Sequence, residues 1–406
     1  MNRRITELFP PMYAGKELDD LLSLFPQYDT GVQNKSKTER LVALQDIYNI
    51  YIPTCMSREI YSKLYLSLIR SLQKKNTYVS TRQYGENSKL IHQKGYESII
   101  GGADSFTIIG ESGLGKSSGI SRAITVLTKN PIIECNNTSI INCVLVQCPA
   151  DCSVKGMLLE ILRKADEFLK SKYYDNAIRA KSTVDVLVGT VSQVALNHIG
   201  LLIIDEIQNI VHKNGKAMIG TLTQLINNSG VSIGMVGTPE SEPFFSSEMV
   251  LARRSVGLSY KNSEFGEQYK SFVRTLLDYN YTANPINVDE ALYMWLYSHS
   301  GGNTAITVQL IHDAQEIAIL TDSEQLDIAS LNQAFERRMK FLHEYIEFGR
   351  KRCPNFKKNI FNIKEINENE ELSVKISDIS AQSKKKGLDV VEKLIETGIN
   401  ILEIHI

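Results

Sequence analysis

Gly110-Glu111-Ser112-Gly113-Leu114-Gly115-Lys116-Ser117 fits the pattern Gly-x-x-x-x-Gly-Lys-Ser/Thr. The residue types explain the chemistry. Glycines let backbone N–H groups close around phosphate oxygens, and a helix starting at the lysine adds its partial positive charge. Lys116 then reaches the β- and γ-phosphates, the Ser117 hydroxyl ligates Mg2+, and Ser118 extends the cradle. The plain alternative is a glycine turn without a ligand. A chance match in a chain of 406 residues has a probability on the order of 1%.

A second half is needed to complete such a site. Leu201-Leu202-Ile203-Ile204 reads as a buried strand whose end delivers Asp205 and Glu206, 89 residues after Lys116. Asp205 would hold Mg2+, largely through water, and Glu206 would orient and polarise an attacking water. Val236-Gly237-Thr238 ends the next strand and places a hydroxyl near the γ-phosphate, with a turn cap as the alternative role. Arg253 and Arg254 form a pair whose guanidinium groups could reach the γ-phosphate of a neighbouring subunit; a solvated face is the bland reading. Which of the two would act stays open.

These residues need elements to position them. Phe106–Ile109 reads as a strand and 116–128 as a helix, followed by a strand at 143–147 and helices at 153–170 and 183–197. After the strand at 201–204 come a helix at 216–227 and a strand at 231–236. Short apolar runs alternating with helices imply a parallel sheet sandwiched by helices. Before it, Ser57 is placed to cap an amphipathic helix carrying Tyr61, Leu64, Tyr65, Leu68, Ile69 and Leu72. Beyond residue 262 the strands stop, and helical patterns run through 265–280, 288–299, 304–320 and 328–348.

This divides the chain into an N-terminal extension (1–56), an α/β core with its leading helix (57–262), a helical lid (263–345) and a C-terminal partner-binding tail (346–406). The extension, with prolines at 10, 11, 26 and 53, is expected to pack on a neighbour or stay partly mobile.

Composition sets limits. Apolar residues make up 43% and charged residues 22%, which excludes a wholly disordered chain. With 45 basic residues against 46 acidic ones, any nucleic-acid contact must come from a local basic surface. No apolar run approaches the roughly 20 residues a membrane span needs, and no secretory signal follows Arg3-Arg4, so the expected compartment is the cytoplasm. Cysteines 135, 143, 148 and 152 match no paired zinc-ligand spacing and read as thiols.

Together the pieces resemble an AAA+ ATPase, a P-loop NTPase fold, and more narrowly the TnsC/TniB family of transposition ATPases. The resemblance covers about residues 57–310 and rests on Gly110–Ser117, Val146–Gly156, Gly200–Gln208 with its Asp-Glu-Ile-Gln, Gly237-Thr-Pro-Glu240 and Arg253-Arg254. It implies a bacterial, ATP- and Mg2+-dependent regulator of DNA transposition that forms rings or filaments of its own subunits on double-stranded DNA. It further implies partners: transposase subunits of the DDE type and a target-selection protein, CRISPR-linked in some relatives. By the same analogy Lys155 faces the channel that holds DNA, although a solvated lysine at a helix start would look the same.

The basic segment 337–358, interleaved with Phe341, Tyr345, Phe348 and Phe356, suits phosphate contacts, an acidic partner or packing on the lid. One departure stands out. The family's lid often carries a basic γ-phosphate sensor near a Gly-Asn segment, and Ser300-Gly301-Gly302-Asn303-Thr304-Ala305-Ile306 has none. Either the nucleotide is sensed differently or hydrolysis is slow, unless the segment merely starts a helix. The competing class is a signalling or loader ATPase acting on protein complexes. A small-molecule kinase would need an acid-base pocket that residues 263–406 do not suggest.

Overall fold

The computed structural model describes residues 9–78, 105–135, 138–151, 153–212, 215–246, 257–343 and 346. Its centre is a six-stranded sheet: β1 (Phe106–Gly110), β2 (Ile132–Cys135), β3 (Thr138–Gln147), β4 (Ile199–Asp205), β5 (Ser232–Gly237) and β6 (Leu258–Tyr260), in the order β2-β3-β4-β5-β1-β6. Only β2 and β3 pair antiparallel; every other neighbour is parallel. In such a sheet ligands bind beyond the carboxyl ends of the strands, where the strand order reverses. Here that point lies between β1 and β5, and β1 leads straight into the phosphate loop.

Period-2 geometry sends alternate side chains of each strand to opposite faces. Along β4, Leu202 and Ile204 enter one core while Leu201 and Ile203 enter the other. The helices divide accordingly. The first core takes α5 (Val154–Leu169), α7 (Val184–His198) and α8 (Gly215–Ser229), with the short α6 (Tyr173–Arg179) at its edge. The second takes α3 (Cys55–Tyr78) and α4 (Lys116–Leu127). Each fully buried Leu or Ile contributes about 1.5–3 kcal/mol, so both faces hold the sheet firmly. The short α9 (Glu242–Ser246) follows β5.

Three local differences from the sequence reading have plain causes. The strand expected at 143–147 is the end of a ten-residue strand, because Ile132–Cys135 folds back on Thr138–Ile141 as a hairpin. Helix α3 starts at Cys55 rather than after Ser57: Thr54 and Ser57 bond each other's backbone N–H, making Thr54 the cap and placing Ser57 inside the first turn. The last lid helix stops at Arg338, where the chain turns back so that the His343 ring stacks on Phe335.

The lid comprises α10 (Glu267–Leu277), α11 (Glu290–Ser300), α12 (Thr304–Leu320) and α13 (Ile328–Arg338). Asp289, Asn303 and Asp327 cap the last three by accepting from backbone N–H groups. Residues 9–56, the expected extension, lie against the chain's own core and lid. Helix α1 (Gly15–Leu22) buries Leu18 and Leu22 beside α3 and α4, and Arg122 of α4 donates to the carbonyls of Leu21, Leu22 and Ser23. Helix α2 (Lys37–Leu44) and the turn after it bury Leu44 and Ile47 in the lid core. There Arg40 grips Glu324 bidentately at 2.5 and 2.7 Å. This strap therefore joins the two units. No helix among the described residues is long and apolar enough to cross a membrane.

Candidate nucleotide-binding site

Between core, strap and lid lies a cleft of about 700 Å³. Its floor is the loop from Ser112 to Ser118. Gly113 and Gly115 have φ of +82° and +86°, a left-handed conformation that costs an L-residue about 1–2 kcal/mol and glycine almost nothing. Gly115 caps α4, so the helix N-terminus points into the cleft. Lys116 is buried, and its ammonium donates to the carbonyls of Gly110 and Glu111 at 2.7 and 2.8 Å. Burial pushes its pKa down, while Asp205, Glu206 and Glu111 push it back up.

The two expected metal ligands already touch: Ser117 Oγ donates to Asp205 Oδ2 at 2.7 Å. Asp205 is buried at the end of β4, and its other oxygen accepts from the Glu206 N–H at 2.9 Å. Glu206 itself has φ of +58°, turning the chain off the strand and leaving its carboxylate exposed at the cleft. Thr238 lines the same cleft from the end of β5. Its Oγ1 is buried with no hydrogen-bond partner, an expensive state for a hydroxyl unless a ligand atom completes it. A hydroxyl–carboxylate pair beside a buried lysine, a helix N-terminus and an orphan donor fits a nucleotide triphosphate with Mg2+.

The opposite wall comes from lid and strap. Asn303 Nδ2 donates to the Ser112 carbonyl at 2.8 Å, and the Ala305 N–H donates to the Gly113 carbonyl at 2.9 Å. Asn262 joins them, donating to the Glu111 carboxylate at 3.0 Å. The Gly-Gly-Asn segment thus starts a helix and also docks on the phosphate loop. A Cβ on Gly113 would sit 2.5 Å from Asn303 Oδ1, so this glycine is required by contact as well as by φ. Tyr48, Ile50 and Ile52 of the strap, with Phe272 and Val308 of the lid, line an apolar mouth. Sequence reasoning singled out the Gly-Gly-Asn segment for its missing basic sensor, but did not anticipate the bond of Asn303 to the phosphate loop, Asn262 or the strap's part in the cleft.

The other expected residues lie elsewhere. Lys155 is exposed on the first turn of α5, outside the cleft lining, with Ser153 as the helix cap. Arg253 and Arg254, Cys152, and the tail beyond residue 346 lie outside the described residues. Cys143 is a thiol whose pKa burial raises, and Cys148 is buried.

Residues 100–245 match the family model of an AAA domain. Sheet order, phosphate loop and this match define an α/β fold of the AAA+ P-loop type. No curated protein matches the chain. Similar solved structures include Aeropyrum pernix ORC2 protein in ADPNP–ADP complexes, 12% identical over 62% of this chain and 67% of that one, with a TM-score of 0.42. Drosophila ORC bound to DNA is 13% identical over 98% and 86%, at 0.45. Aeropyrum pernix ORC1 protein in complex with DNA is 14% identical over 63% of each chain, at 0.43.

Proposed function

We propose that this chain is a Mg2+-dependent ATPase that uses its nucleotide to control assembly on duplex DNA, and that it serves transposition by linking a target-selection protein to transposase subunits. The observation that supports the ATPase reading is the contact of Ser117 with Asp205, flanked by Glu206 and the orphan hydroxyl of Thr238. Mg2+ held by Ser117 and Asp205 would neutralise the phosphate oxygens as the bond to the γ-phosphate breaks. Lys116 would bind the β- and γ-phosphates, Thr238 would donate to the γ-phosphate, and Glu206 would orient the attacking water. The apolar mouth formed by strap and lid suits the base.

The transposition half rests on the resemblance carried by the Asp-Glu-Ile-Gln, Gly-Thr-Pro and paired-arginine segments. In this reading Arg253 or Arg254 reaches a neighbour's γ-phosphate, so that ATP stabilises subunit contacts and hydrolysis weakens them. Each added subunit contributes phosphate contacts to DNA, Lys155 among them. Electron microscopy of the protein with duplex DNA and a non-hydrolysable ATP analogue tests it, with ADP as control. Rings or filaments around DNA only with the analogue are the expected result. Single subunits free of DNA in both states would overturn assembly on DNA and favour a signalling or loader ATPase acting on proteins.

A further inference from the structure

Glu206 is not free at the cleft. The next turn of chain, a 3-10 helix over Ile207–His212, brings Gln208 back against it. Gln208 Nε2 donates to Glu206 Oε2, and at its other end Gln208 Oε1 accepts from the Thr238 N–H at 3.2 Å. One amide therefore spans the carboxylate at the end of β4 and the threonine at the end of β5. The backbone N–H of Thr238 can only donate, which fixes the amide oxygen on that side and aims its NH2 at Glu206. The glycine before Thr238 leaves the space that the amide occupies. A Cβ on Gly237 would lie 3.0 Å from Gln208 Oε1 and 2.6 Å from the buried Ile207 side chain.

We propose that Gln208 is a positioning residue that holds the Glu206 carboxylate and couples it to Thr238. The inference rests on the ATPase reading given above and adds a mechanism for sensing within it. The hydroxyl of Thr238 is the orphan donor of the cleft, and its backbone N–H is the group that holds Gln208. A phosphate oxygen accepting from the hydroxyl moves or fixes the same residue that sets the amide, so occupancy of the γ-phosphate position is passed to the carboxylate through one side chain. Glutamine is suited to this because it donates at one end and accepts at the other. Glutamate in its place keeps the acceptor for Thr238 and sets a second carboxylate against Glu206. Alanine removes both contacts.

The test is steady-state ATP hydrolysis, with ATP affinity measured separately by fluorescent-nucleotide binding, in wild type, Gln208→Ala, Gln208→Glu and Thr238→Val. Gln208→Ala should lower kcat about 10–100-fold, the scale of a misplaced reacting group, with ATP affinity within about twofold of wild type. Gln208→Glu should lose at least as much. Because the two residues act in series, Gln208→Ala combined with Thr238→Val should lower kcat little more than the more damaging single change, and the loss of kcat without loss of ATP affinity is what a purely structural role does not produce. Wild-type kcat in Gln208→Ala, additive losses in the pair, or loss of ATP affinity in parallel with kcat would overturn the assignment of Gln208 and leave the ATPase reading standing. A wild-type protein that hydrolyses no ATP would overturn both.

Discussion

The two walls of the cleft are built by opposite means. The core wall departs from local rules: Gly113, Gly115 and Glu206 sit at positive φ, Lys116 is a buried cation, and the Thr238 hydroxyl has no partner. In the lid and strap the exceptions lie where elements join rather than on the cleft lining: Glu324, at φ of +55°, pairs with the buried Arg40, whose Nε has no partner, while Asn303 and Asp289 are ordinary helix caps. Strain and unmet polar groups persist only where surrounding structure over-determines them, and they concentrate where chemistry is done. On the proposed ATPase reading, the contrast implies a division of labour in which the core carries the reaction and the lid holds the phosphate loop. Substitutions on the first wall should stop chemistry, with Lys116 also weakening binding, whereas those on the second should leave turnover of bound ATP intact and change affinity or stability.

The largest effect on affinity should come from Lys116→Ala. Removing the buried ammonium takes away the charge facing the β- and γ-phosphates, and ATP affinity should fall about 100-fold or more, consistent with losing a charge-assisted contact of about 3 kcal/mol. Titration with fluorescent ATP would show it. Asn303→Ala sharpens the comparison from the other side. It removes the bond to Ser112 and the cap of α12, so affinity should drop about tenfold while turnover of bound ATP changes little. Single-turnover hydrolysis separates the two quantities, and an equal fall in both would break the division between walls.

Arg40→Ala should act on stability alone. Breaking a buried pair costs about 3–5 kcal/mol, and about 2–3 is expected here because Glu324 keeps 19% of its side chain exposed. Arg40 also holds the Glu324 carboxyl below its usual range. The pair's contribution is therefore complete above about pH 4.3 and disappears as pH falls through the lowered value. Thermal melts of wild type and Arg40→Ala should differ at neutral pH and converge in acid.

What was legible in the sequence was local. The glycine loop, the strand ending in Asp205-Glu206 and the alternating helices each fit within one stretch of chain, and all appear where expected. The strap was not legible, because Arg40 meets Glu324 across 284 residues and nothing in either residue's neighbourhood marks the pair. Asn303 reads as a helix cap, and its second bond, to Ser112, spans 191 residues. Two features did leave a signal. Asn136-Asn137 between the apolar runs of β2 and β3 is a hairpin composition, and the Gly before Thr238 is the small residue that lets Gln208 close in.

The central claim is that the core wall hydrolyses ATP through Glu206. Its most direct test is ATP turnover by Glu206→Gln, with bound nucleotide identified after the reaction. The account predicts turnover about 10²–10⁴-fold below wild type, the usual contribution of a general base, with ATP retained in the protein. Hydrolysis at the wild-type rate would contradict it and remove Glu206 from the water-orienting role.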